Sequence, residues 1–165
     1  MLLRTILNDH DEASLTYYQT WGEHTLLTSG ISDLTLFPLK YLSLLESMQY
    51  TYVEPDYIFV HAGLDMSKNA PILESDSLHM LWSRRTLKVD TRRLGGRQLV
   101  TGHMIRMIDD IRKSINSAHI RIDNGAFTQQ LPEMGNLVAL NLDTKELILQ
   151  PWCDGDEEEI GAAST

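Results

Sequence analysis

The chain reads as an α/β protein, and three observations point there. Apolar residues at Leu39, Leu42, Leu45 and Met48 follow Pro38 at helical spacing. Two β-branched runs, residues 57–60 and 98–101, each end in a histidine close to a glycine. Two further apolar runs, 137–141 and 146–150, are joined across Leu142, Asp143, Thr144 and Lys145 as a hairpin.

Taken in order, residues 1–7 read as a helix with apolar positions at Leu3, Ile6 and Leu7 but no N-terminal cap. Residues 9–36 look irregular, with a short helix expected around 12–20 and turns near Gly22 and Gly30. A helix is expected over 38–48, with Pro38 at its first position. Strands are expected at 50–54 and 57–60, separated by Pro55 and Asp56. Residues 64–74 read as loop punctuated by Pro71, followed by a short helix over 75–82. Residues 86–97 read as a basic loop ending in Gly95 and Gly96. The segment 105–116 fits more than one assignment, and 117–122 reads as a strand. The last residues, 153–165, are acidic and then small and polar, the composition of a disordered tail. The expected organisation is one domain over 1–152 and that tail.

A chain of 165 residues has the size of a single domain and can bury a substantial core. No apolar run approaches the ~20 residues of a membrane span, and no signal-peptide pattern follows Met1. The lone cysteine, Cys153, gives no intrachain disulfide and no cysteine-based zinc site. Cytoplasm is the default location. Of the net charge of −9, five negative charges belong to Asp154, Asp156, Glu157, Glu158 and Glu159, leaving −4 for the rest. Nine of the 14 Lys and Arg residues fall between Arg84 and Lys113, against Asp90, Asp109 and Asp110. Such a surplus suits an anionic, phosphate-bearing ligand, and reads equally as a solvated basic loop. No aromatic residues interleave with it, so nucleic-acid stacking is unsupported.

His61 and His103 are the candidate metal ligands. A buried strand delivers each imidazole to its carboxyl end, and the nearby glycines let the backbone turn away or approach a bound group. The alternative is a pair of half-buried structural histidines. His10, His24, His79 and His119 have no partner pattern and read as surface or packing residues. Arg84 is the candidate phosphate ligand, because a guanidinium presents a planar fork to two phosphoryl oxygens. Alone, it reads as a surface arginine. Asp123, Asn124 and Gly125 read as a structural turn with positive φ at Asn124 or Gly125. The chain has no glycine-rich nucleotide loop and no Gly-x-Ser-x-Gly elbow.

Four segments then fall in a familiar order: Phe59-Val60-His61-Ala62-Gly63-Leu64, Leu81-Trp82-Ser83-Arg84, Val100-Thr101-Gly102-His103 and Ile122-Asp123-Asn124-Gly125-Ala126. Together they resemble the phosphoprotein phosphatases of the metallophosphoesterase superfamily, more narrowly the bacterial and phage serine/threonine branch. Trp21-Gly22 and Thr25-Leu26-Leu27-Thr28-Ser29-Gly30 resemble a stretch upstream of the family's histidine segment. Ile105 stands where broader metallophosphoesterases often carry a second histidine, which favours the phosphoprotein phosphatase branch. The resemblance implies a calcineurin-like αββα sandwich of mixed sheets flanked by helices. It further implies two-metal hydrolysis of a phosphomonoester, in which a bridging water attacks phosphorus in line. His61 and His103 would be ligands of the second ion, manganese or else iron or zinc, and Arg84 would hold the substrate phosphate. Substrates would be phosphoproteins or phosphorylated small molecules, with no role for nucleic acid or membrane. Symmetrical dinucleoside polyphosphate hydrolases resemble the same motifs, and Trp82-Ser83-Arg84 tilts the reading toward phosphoproteins.

The family motifs Gly-Asp-x-His-Gly, Gly-Asp-x-x-Asp-Arg-Gly and Gly-Asn-His-Glu are absent from this sequence. They carry the first metal's ligands, the bridging aspartate and the acid histidine. The expectation is therefore that the chain corresponds to the C-terminal portion of such a domain, without a full dimetal site. It would be inactive alone or active only with a partner supplying the missing half. The third reading is a non-catalytic phosphate-binding remnant.

Overall fold

The computed structural model describes residues 30, 38–84, 88–127 and 133–151. The expected helices at 1–7 and 12–20, the Trp21-Gly22 stretch and the acidic tail lie outside the described residues. Two compact units divide the chain, Met1–Gln49 and Tyr50–Thr165.

In the first unit, helix α1 spans Leu39–Ser47. Pro38 occupies its N-cap rather than its first helical position, and its carbonyl accepts from the N–H groups of Tyr41 and Leu42. The fixed φ of proline suits either place.

The second unit is mixed α/β, with a four-stranded sheet flanked by helices. Strands β1 (Thr51–Val53), β2 (Tyr57–Val60), β3 (Gln98–Thr101) and β4 (His119–Arg121) lie side by side in that order. β1 runs antiparallel to β2, through a turn that Glu54 N–H closes on the Tyr57 carbonyl at 2.8 Å. β2, β3 and β4 are parallel, so their carboxyl ends share one edge of the sheet. β3 lies between two parallel neighbours, and Leu99, Val100 and Thr101 are all buried. That is the burial a central parallel strand requires, and it explains the unbroken apolar run in the sequence.

Between β2 and β3 the chain forms α2 (Pro71–Glu74), α3 (Ser77–Trp82) and a 3₁₀ turn at Thr91–Leu94. The expected loop over 64–74 is thus corrected at its end. Pro71 opens a helix, since its missing N–H would have had no intrahelical acceptor there. The basic loop is likewise corrected at 91–94: the Asp90 carboxylate accepts from Arg92 N–H, and Gly95 ends the turn at φ 67°. Asp76 caps α3 by accepting from His79 N–H at 2.6 Å. Helix α4 (Ile108–Ser114) resolves the ambiguous segment before β4. Asp109 and Asp110 lie in its first turn and Arg112 and Lys113 in its last, matching the helix dipole.

Ile58, Val60, Leu64, Met66, Met80, Val89, Leu94 and Leu99 form one core cluster. Strands β5 (Asn136–Leu140) and β6 (Leu147–Pro151) make the expected hairpin. Val138, Leu147 and Leu149 of this hairpin join a second cluster with Ile108, Ile111 and Ile122. Among the described residues no helix is long and apolar enough to cross a membrane.

Candidate metal and phosphate site

Four elements end at the shared edge of the parallel strands. His61 follows β2, His103 follows β3 after Gly102, Asp123 follows β4, and Arg84 comes two residues after α3. Ligand sites of open parallel sheets form at such carboxyl ends, because loops there splay apart over the strand termini. Backbone bonds hold the edge together: Gly102 N–H donates to the His61 carbonyl at 2.9 Å, and Ala62 N–H donates to the Met80 carbonyl at 2.8 Å.

The two imidazoles meet directly, His61 Nε2 lying 3.2 Å from His103 Nδ1. With one nitrogen protonated this contact is a hydrogen bond. An ion held by two imidazoles at the usual zinc–nitrogen distance sets the two nitrogens about 3.3 Å apart in a tetrahedral shell. The observed separation is therefore also that of two ligands sharing one ion. Among the described residues, no group of three or more His, Cys, Asp and Glu side chains is placed to hold a metal. The fit is to two ligands of a shell, not to a whole shell.

His103 adopts φ 63°, and Met104 N–H bonds to the Gly102 carbonyl at 2.7 Å. This closes a three-residue turn around a non-glycine residue at positive φ, an arrangement that costs on the order of 1–3 kcal/mol. The glycines behave differently from expectation. A Cβ at Gly63 or Gly102 would meet only ordinary contacts at 3.8–3.9 Å, and neither has positive φ. The turn away from β3 is made by the histidine itself.

The Trp82 ring meets the His103 ring edge-on at 6.0 Å. Burial first, then the charges of His61 and Arg84, push the His103 pKa down; the Asp123 carboxylate and the Trp82 backbone oppose this more weakly. A neutral imidazole is the form that ligates metal. Arg84 is exposed and makes no hydrogen bond or ion pair among the described residues, so its fork is available to a ligand. With Gly63, Ser83, Gly102, His119 and Arg121 it also lines a cavity of about 20 Å³, roughly the room of one water.

The Asp123–Gly125 turn matches its structural reading. Gly125 has φ 69°, and its N–H donates to Asp123 Oδ1. Asp123 nevertheless acts electrostatically on the site. Its position after β4, level with the two histidines, was the available sequence signal. His79 lies within α3, and His119 opens β4, where its Nε2 meets Thr101 Oγ1 at 2.8 Å; His10 and His24 lie outside the described residues. Comparison with protein-family models, with curated proteins and with solved structures finds no match.

Proposed function

We propose that this chain belongs to a metal-dependent phosphomonoester hydrolase of the serine/threonine phosphoprotein phosphatase type, with a calcineurin-like fold. One observation carries the reading: two imidazole nitrogens stand 3.2 Å apart at the carboxyl ends of adjacent parallel strands, with Arg84, unpaired among the described residues, in electrostatic reach. The ordered motifs around His61, Arg84, His103 and Asp123 supply the family.

His61 and His103 would hold a divalent ion, manganese or alternatively iron or zinc. When bound, the ion contributes Lewis acidity toward phosphoryl oxygens. The chain's own residues set the rest. Burial lowers the His103 pKa and so favours the neutral, metal-ligating ring, and the Trp82 ring packs edge-on against it. Arg84 offers the phosphoryl group a charged two-pronged donor. Because the three other family motifs are missing from the sequence, turnover by this chain alone is expected far below the ~1–10³ s⁻¹ of ordinary enzymes.

Calorimetric titration with a phosphoserine peptide tests the reading. Binding should require manganese, and Arg84→Ala should weaken it about tenfold or more, the loss of a charge-assisted hydrogen bond. Peptide binding indifferent to manganese would move the chain to the non-catalytic phosphate-binding class. Preferred cleavage of diadenosine tetraphosphate would move it to the dinucleoside polyphosphate hydrolases.

A further inference from the structure

A second concentration of unmatched positive charge lies where the loop after β3, helix α4 and strand β4 meet. A pocket of about 430 Å³ is lined there by Arg106, Asp110, Lys113, Ser114, Ser117 and Arg121. Most of its polar groups are already committed. Ser114 Oγ donates to the Ile111 carbonyl and accepts from Arg121 N–H, and Ser117 Oγ bonds the backbone of His119. Asp110 pairs with Lys113 at 3.7 Å.

The two guanidiniums are the exception. Neither Arg106 nor Arg121 makes a side-chain hydrogen bond or ion pair among the described residues, and the Nε–H of each is buried without an acceptor. Buried donors are almost always satisfied, so two orphans in one pocket call for a missing acceptor. The charges also interfere: burial, and then the neighbouring Arg106, lower the Arg121 pKa, with Asp110 opposing. One carboxylate against two arginines and a lysine leaves the pocket cationic.

We propose that this pocket is an oxyanion site for a phosphoryl group, with Arg106 and Arg121 as its two guanidinium donors and Lys113 at its rim. Planar forks match tetrahedral phosphoryl oxygens, and an acceptor placed between them would satisfy both Nε–H groups and screen their repulsion. The volume is that of a small-molecule site and admits a phosphate together with the group that carries it. The site needs no metal and stands independently of the paired histidines.

The test is a titration of the full chain with inorganic phosphate, and separately with O-phosphoserine, in EDTA at constant ionic strength. The arginine Nε–H resonances report binding. Saturable shifts at Arg106 and Arg121 are expected, with affinity at least tenfold weaker in Arg106→Gln and in Arg121→Lys. Arg112→Gln, which removes an exposed charge from the same helix, should bind as the parent does, and Arg84→Ala should leave the shifts in place. Unchanged backbone amide spectra certify that the variants fold. Tighter binding of O-phosphoserine identifies a monoester as the ligand, and tighter binding of phosphate identifies the free ion. Non-saturating shifts, equal shifts with chloride, or parental affinity in Arg106→Gln would overturn the proposal.

Discussion

His119 is where a single ionisation governs stability. Its Nε2 lies 2.8 Å from Thr101 Oγ1, while Nδ1 is buried without a partner among the described residues. Burial first, then Arg121 and Arg106, push its pKa down to about 4 from the ordinary 6.5. The fold therefore favours the neutral ring. As pH falls through about 6.5 the unfolded chain gains a proton that the folded chain refuses until about pH 4. Stability from this residue is complete above pH 7 and declines between those values, by on the order of 2 kcal/mol once partial solvent screening is allowed for. Urea midpoints measured from pH 4 to 7 should show the advantage of the parent over His119→Gln shrinking as pH drops. A constant difference would contradict this. No sequence pattern marks the effect, since it arises first from the burial of the ring in the fold and then from Arg121 and Arg106 beside it.

At the scale of elements, Asn124 joins three segments. Its Nδ2 donates to the carbonyls of Arg106 and Glu133, both at 2.8 Å, and its Oδ1 accepts from the backbone and side chain of Asn136. The loop before α4, the end of β4 and the start of β5 thus depend on one fully satisfied, buried amide. Asn124→Ala would strand several of these groups and should cost about 2–4 kcal/mol, read from chemical denaturation. A loss below about 1 kcal/mol would mean the hairpin holds its place by apolar packing alone. Strands β2, β3 and β5 were legible because each is a short apolar run with Pro, Gly, Asn or Asp close to its ends. Helix α4 was not, because Met107 at its N-cap is no capping residue and Met104, Ile105, Met107 and Ile108 blur the period. Pro71 was read as a break because proline punctuates loops and opens helices alike.

Across the whole molecule, the fold resolves what the basic stretch means. Arg92 pairs with Asp90, Arg112 with Asp109 and Lys113 with Asp110, while Arg93 and Arg97 donate to the carbonyls of Met66 and Glu54. Much of the surplus is structural, and the arginines left without partners among the described residues include Arg84 and Arg106. Composition counted these charges but carried no record of their pairing, which is local for Arg92, Arg112 and Lys113 and long-range for Arg93 and Arg97. The histidine pair was legible as two strand-end imidazoles, yet its 3.2 Å contact follows from the parallel register of β2 and β3, invisible in one dimension. The positive φ at His103 was equally hidden, since glycine was the natural candidate for that turn.

The central claim is that His61 and His103 act together on one divalent ion, and paramagnetic broadening of the histidine ring signals by manganese tests it most directly. Both rings should broaden together and ahead of the other described histidines at substoichiometric manganese, and His61→Ala should weaken the broadening at His103. Sharp signals from His61 and His103, with broadening confined to the acidic residues between Asp154 and Glu159, would contradict it.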